Sequence, residues 1–153
     1  MQSDLQKIIK KNYDPQLIEA AFEFAERAYK NKVRISGENY LQHALRVAKA
    51  LSDMNVDQTT IVLGFLHDAI DDLPESAQKV VLQEIKKNFG EEIADLVKKI
   101  SSISIIRYPL ENSGTDKFLS SKNRTENLRR MFLAVASDLR VILVELISRL
   151  DGL

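Results

Sequence analysis

Apolar residues recur at three- and four-residue intervals along most of this chain, and that period predicts helices. Asp14-Pro15 supplies an N-cap and a first helical position, and Ile18, Ala21, Phe22, Ala25 and Ala28 then mark one apolar face. The polar stretch KVRISGEN, with Gly37, interrupts the pattern as a loop. Leu41, Ala44, Leu45, Ala48 and Leu51 define the next helix, to about Met54. Asp57 caps another that runs through Ile70, and its apolar residues surround it on nearly every side, which makes it the central, buried helix. Pro74 and Ser76 open a helix that closes at Phe89-Gly90, glycine being the usual residue just past a helix end. Glu91 and Glu92, favourable against the helix dipole, begin one that reaches about Ile100. Residues 104–122, with Pro109, Gly114 and several serines, show no period and read as a long, mobile loop of the sort that carries function. Two final helices are expected over 123–136 and 138–151. No segment reads as a convincing strand, and no repeat, low-complexity tract or inter-domain linker interrupts the chain. The fold class is therefore all-α, with about eight helices around one central buried helix.

Composition narrows the function classes. A chain of 153 residues with 44% apolar content supports one domain with one sizeable core. Acidic and basic residues balance at 22 each, without the basic excess of a nucleic-acid or membrane-surface binder. The N-terminal MQSDLQKIIKK lacks the apolar stretch of a signal peptide, and the longest apolar runs, IVLGFL and VILVELI, fall far short of a membrane span. A cytoplasmic location is expected, with neither nucleic acid nor membrane as a partner. Cysteine is absent, so any metal must be held by His, Asp or Glu. The final Asp151-Gly152-Leu153 follows directly on an apolar helical stretch, which reads as a domain cut short at its C-terminus.

The chain holds two histidines, His43 and His67, both on expected helices. His67 is followed by Asp68, Asp71 and Asp72, and on a helix positions 67, 68, 71 and 72 form one patch. Acids within the apolar stretch IVLGFLHDAIDD are costly to bury unless paired or bound to a cation. A divalent metal removes that cost and makes bound water more acidic. Two simpler readings stand beside it: the histidines as hydrogen-bonded core residues, and Asp71-Asp72 as the polar end of a helix.

Four segments in order, VRISGENYLQHALRVAKAL, TTIVLGFLHDAIDD, FGEEIADLVKKIS and ENLRRMFLAVASDLRVILVELISRLDGL, together resemble the N-terminal hydrolase domain of the RelA/SpoT family, the enzymes of the alarmone guanosine tetraphosphate. VRISGENYLQHALRVAKAL is similar to the family's R-x-S-G-E-x-Y-x-x-H-P-x-x-V-A segment. TTIVLGFLHDAIDD is similar to T-x-x-A-x-L-L-H-D-x-x-E-D, and FGEEIADLVKKIS to F-G-x-x-V-A-x-L-V-x-G-V-T. ENLRRMFLAVASDLRVILVELISRLDGL is similar to N-x-R-K-M-x-x-A-M-x-x-D-x-R-V-x-x-I-K-L-A-D-R-L-H-N-M. The likeness covers residues 17–153, in order, and implies an HD-domain helical bundle.

The resemblance also implies a manganese-dependent 3′-pyrophosphohydrolase acting on guanosine tetraphosphate. His43, His67 and Asp68 match three metal ligands; the fourth, a late Asp, is Ser148 here. Asp71 and Asp72 match the family's Glu-Asp acid/base pair, the first carboxylate one methylene shorter, a loss of reach of about 1.5 Å. Such a misplacement can cost about a hundredfold in rate. Arg34, Ser36 and Gly152 match nucleotide-binding positions, with Gly152 standing where the family has Asn. Tyr40 is expected as packing and Arg149 as an ion-pair partner, with Met131, Phe132 and Phe65 in the core. With a neutral hydroxyl at Ser148, manganese should be weakly held or absent and activity weak or lost. The alternative is a non-catalytic regulatory HD domain of a RelA-type synthetase, packed against a covalently linked synthetase domain. An HD hydrolase for another nucleotide is the third option. One rescue is conceivable: Asp151, a turn after Ser148 and so about 5 Å along the helix, would supply the missing carboxylate.

Overall fold

A computed structural model describes residues 1–11, 13–104, 129 and 138–152, and these residues are helical and turn structure apart from one isolated bridge, Val33–Asn39. The helices are α1 (Gln2–Ile9), α2 (Pro15–Ala28), α3 (Tyr40–Asp53), α4 (Gln58–Leu66), α5 (Glu75–Phe89), α6 (Glu91–Ser104) and α7 (Leu139–Asp151). The fold is all-α, with seven helices among the described residues. Of the expected loop over 104–122 only Ser104 is described, and it is helical; the expected helix over 123–136 lies outside the described residues apart from Arg129, which is helical, and Met131 and Phe132 lie outside them too.

Helix starts follow the local chemistry. The Asp14 carboxylate accepts from Gln16 N–H at 3.0 Å, Asn39 from Leu41 N–H at 2.8 Å, and Asp138 from Arg140 N–H at 2.8 Å, each satisfying a backbone donor the helix leaves orphaned. Asp57 stands at the N-cap of α4, but its carboxylate accepts from the Thr60 hydroxyl rather than from the backbone. Gly90, at φ 95°, ends α5. Two expectations need correction. α6 runs four residues past Ile100, and the N-terminal segment, read only as polar, forms α1 around the fully buried Ile8.

α4 is the central helix. Every residue from Thr60 to Leu66 is buried, and α2, α3, α6 and α7 pack around it. On α2 the buried face is Ile18, Ala21, Phe24 and Ala25; Phe22 lies at its margin, edge-on to Phe65 at 6.1 Å. Gly64 brings α3 and α4 together, because an added Cβ would stand 2.7 Å from Leu51 Cδ1 and 3.4 Å from Ala48 Cα.

The largest departure from expectation is the end of α4. It stops at Leu66, not Ile70, with His67 as C-cap. Continuation would join Ala69 N–H to Phe65 O. The hydroxyl of the buried Tyr29 donates to Phe65 O instead, at 2.9 Å, and Ala69 N–H turns to Leu66 O at 3.0 Å. Residues 67, 68, 71 and 72 therefore occupy a tight series of turns rather than one helical face. Asp72 ends it in the left-handed region at φ 62°, a conformation that costs a non-glycine residue about 1–3 kcal/mol. Removing the hydroxyl would leave a buried carbonyl short of its donor. Tyr29→Phe should therefore lower stability by about 1–3 kcal/mol, read from the urea midpoint; an unchanged midpoint would show that the hydroxyl does not set the helix end.

Candidate metal centre

Three elements deliver side chains to one buried spot. α3 carries His43 on its buried face, the turn after α4 carries His67 and Asp68, and α7 carries Ser148. His43 and His67 are 0% exposed, Ser148 1% and Asp68 5%. The Nε2 atoms of the histidines lie 3.3 Å apart. Asp68 Oδ2 stands 3.2 Å from His67 Nε2 and 3.8 Å from His43 Nε2. Ser148 Oγ sits between the rings, 3.0 Å from His43 Nε2 and 3.1 Å from His67 Nε2.

The proton inventory is the informative part. His67 Nδ1 lies 2.7 Å from Gly64 O, a carbonyl that can only accept, so Nδ1 carries a hydrogen. His43 Nδ1 lies 2.6 Å from Asp151 Oδ2 and likewise donates. Burial, then the neighbouring His67, lowers the pKa of His43 to about 4, so at neutral pH its Nε2 is a bare lone pair. A second imidazole nitrogen and a carboxylate face that lone pair, while the Ser148 hydroxyl supplies one hydrogen. Such a convergence of acceptors calls for a cation. Ligand atoms about 2.1 Å from one ion, at ordinary coordination angles, lie about 3.0–3.4 Å apart. The 3.2 and 3.3 Å spacings meet that requirement, and Asp68 is the one ligand slightly wide of His43. The donor set of two imidazoles, one carboxylate and one hydroxyl fits a divalent metal of intermediate hardness.

The surrounding residues fall into place unevenly. Asp71 Oδ1 accepts from the Ser101 hydroxyl of α6 at 2.7 Å, and Asp72 Oδ2 accepts from Tyr40 OH at 3.3 Å. Tyr40 also stacks on Tyr29, with ring centres 5.9 Å apart, so it packs as expected and positions Asp72 as well. Arg34 reaches towards Gly152, whose added Cβ would lie 3.6 Å from Arg34 Nη2, so these two expected nucleotide positions adjoin each other. Ser36 is exposed in the same turn. Arg149 pairs with Glu145 at 3.0 Å, as expected.

Asp151 does not join the cluster as a replacement ligand. It approaches His43 from the opposite ring nitrogen, because one turn along α7 carries it past Ser148 to the outer side of the imidazole. Burial acts to raise its pKa, but hydrogen bonds from Arg46 and His43 outweigh burial and hold it below the usual carboxylate range. Four residues here escaped sequence reasoning: Arg46, Glu38, Ser101 and Tyr29. Arg46 carried a faint signal, lying three residues after His43 on the same helix.

Comparison with known proteins shows the family. The HD-domain family matches residues 21–153. The guanosine-3′,5′-bis(diphosphate) 3′-pyrophosphohydrolase of Aquifex aeolicus (strain VF5) is 35% identical over 99% of this chain. A probable enzyme of the same name from Synechocystis sp. (strain ATCC 27184 / PCC 6803 / Kazusa) is 39% identical over 90% of it, and a GTP pyrophosphokinase of Myxococcus xanthus 34% over 89%. The chain spans 20%, 16% and 16% of the length of these three relatives, so it corresponds to one part of larger proteins. The chain belongs to the HD-domain family, as an HD domain of the RelA/SpoT type.

Proposed function

We propose that this domain binds guanosine tetraphosphate or a close guanine-nucleotide alarmone beside a manganese ion held by His43, His67 and Asp68, and that it hydrolyses the 3′-pyrophosphate slowly. The observation that carries the reading is the convergence of two imidazole Nε2 atoms and the Asp68 carboxylate, with only a serine hydroxyl where a fourth anionic ligand would complete the set. The cation would supply Lewis acidity at a phosphoryl oxygen and lower the pKa of a nearby water. The other roles fall to this chain's own side chains. Asp71 and Asp72 serve as the acid/base pair, Asp71 steadied by Ser101 and Asp72 by Tyr40. Arg34 offers a planar guanidinium against the base, with Ser36 and Gly152 nearby in the nucleotide pocket. Ser148 weakens the centre because a neutral hydroxyl leaves the cation less charge to bind.

Ser148 also favours a second reading, in which the domain keeps its fold and nucleotide pocket but regulates a covalently linked synthetase domain without catalysis. The GTP pyrophosphokinase relative supports such a linkage. A cytoplasmic site of action belongs to both readings, and no helix among the described residues is long and apolar enough to cross a membrane. Metal analysis of the purified domain, followed by a pyrophosphate-release assay with Mn(II), separates them. The expected result is substoichiometric metal, Mn(II) binding that His67→Ala abolishes, and slow release. Mn(II) binding without any release would favour the regulatory reading, and failure to bind Mn(II) at millimolar concentration would refute the metal centre.

A further inference from the structure

Both imidazoles of the centre are anchored through Nδ1, but by different means. His67 uses a carbonyl of its own helix, Gly64 O, at 2.7 Å. His43 has no such neighbour and reaches across to α7, where Asp151 Oδ2 lies at 2.6 Å. Asp151 is itself clamped. Arg46 Nε donates to Asp151 Oδ1 at 2.7 Å and Arg46 Nη2 to Asp151 Oδ2 at 2.7 Å, a two-pronged contact that fixes the carboxylate plane. The far side of the same guanidinium is held by Glu38, with Arg46 Nη2 2.8 Å from Glu38 Oε2. Glu38 also faces Arg34 Nη1 at 3.6 Å.

We propose that Asp151 is the positioning residue of the metal centre: held by Arg46 and Glu38, it fixes His43 as the Nδ1–H tautomer and turns the Nε2 lone pair towards His67, Asp68 and Ser148. The physical need is plain. A neutral imidazole carries one ring proton, and a buried ring without an Nδ1 acceptor can place that proton on Nε2, inside the cluster, where it blocks coordination. A carboxylate on the outer nitrogen removes that option and makes the inner nitrogen a better donor. Asp151 thus contributes from outside the ligand set, which is a different task from replacing the carboxylate missing at Ser148. Arg46, the clamp of that carboxylate, acts one step further out. The functional consequence rests on the metal reading above, but the tautomer does not.

Long-range nitrogen-15 spectra of the imidazoles, recorded on the metal-free protein at neutral pH, test the tautomer directly. The chain has two histidines, so His67 serves as the internal control. Wild type should show both rings as Nδ1–H. Asp151→Ala should move His43 towards Nε2–H and leave His67 unchanged. Mn(II) affinity, measured by electron paramagnetic resonance of the free ion, should fall about 10–100-fold in Asp151→Ala and less in Arg46→Met. Should Asp151→Ala fail to fold, Asp151→Asn preserves an acceptor and should keep the tautomer while losing affinity. An Nε2–H tautomer at His43 in wild type overturns the proposal. So does a fall in melting temperature with tautomer and Mn(II) affinity unmoved, the signature of a carboxylate that only docks α7 on α3. Loss of the His43 tautomer in Asp151→Ala, in a wild type that binds no Mn(II), would uphold the positioning role and refute the metal reading separately.

Discussion

The Ser148→Asp variant should bind Mn(II) about 100-fold more tightly than the wild type, or better, and release pyrophosphate from guanosine tetraphosphate faster. The magnitude follows from rank. Outer partners of metal ligands are worth about 10–100-fold in affinity, and a direct anionic ligand exceeds them. Ser148 Oγ already lies 3.0 and 3.1 Å from the two imidazole nitrogens, so a side chain from this position of α7 points into the cluster. The same change should do harm without metal. Position 148 is 1% exposed and Asp68 5%, so a second carboxylate would be buried close to the first. An uncompensated buried charge costs about 3–5 kcal/mol, softened if the new carboxyl takes up a proton. Thermal unfolding in EDTA should therefore place the variant below wild type. With Mn(II) at 100 times its dissociation constant, binding to the native state adds about 2.7 kcal/mol and narrows or reverses the order. A variant as stable as wild type in EDTA, with a midpoint that ignores Mn(II), would remove position 148 from the proposed metal centre and with it the ground for expecting weak activity.

Local chemistry made much of this fold legible. Asp14, read as an N-cap, caps α2, whereas Asp57, read the same way, accepts from the Thr60 hydroxyl, and Asn39 and Asp138 cap α3 and α7 without having been singled out. The central position of α4 was visible because its apolar residues leave it no solvent-facing side. What stayed hidden depends on partners distant in the chain. α4 ends at Leu66 because a tyrosine hydroxyl 36 residues earlier takes a backbone carbonyl, and no pattern within IVLGFLHDAIDD reports that. α1 was missed because its apolar side is only Leu5, Ile8 and Ile9 among eight mostly polar residues, too short a run to show its period, although Ile8 is fully buried and Leu5 and Ile9 pack against the core.

The site divides along the same line. His43, His67 and Asp68 stood out by residue type, since buried titratable groups in apolar helices need a compensating partner. The role of Asp151 could not be read, because which ring nitrogen it meets depends on how α7 crosses α3, across 108 residues of sequence. Arg46 looked like any cation on a solvated face until the bundle brought Glu38 and Asp151 to either side of it.

Gly64→Val should cost stability and metal affinity together, because one close approach sets both. Gly64 lies where α3 meets α4, three residues before His67, and α3 carries His43 on its buried face. A Cβ there would stand 2.7 Å from Leu51 Cδ1, closer than van der Waals contact permits, with Ala48 Cα at 3.4 Å behind it. Leu51 is fully buried, so its methyl has little room to retreat. Alanine would recover about 1 kcal/mol of helix propensity over glycine, offsetting part of the strain and leaving a small net change. Valine adds two more methyls and χ1 stiffness, with backbone on one side and a packed leucine on the other. Overpacking of this kind costs about 1–3 kcal/mol and occasionally more, and the upper end applies where a backbone cannot yield. At about 2–4 °C per kcal/mol for a domain of this size, the melting temperature should fall by about 6–12 °C. The helices can relieve the clash only by separating, which widens the 3.3 Å gap between His43 Nε2 and His67 Nε2. Mn(II) affinity should then drop in Gly64→Val and change little in Gly64→Ala. A valine variant that melts with wild type and binds Mn(II) equally would mean that the α3–α4 spacing does not govern the geometry of the centre.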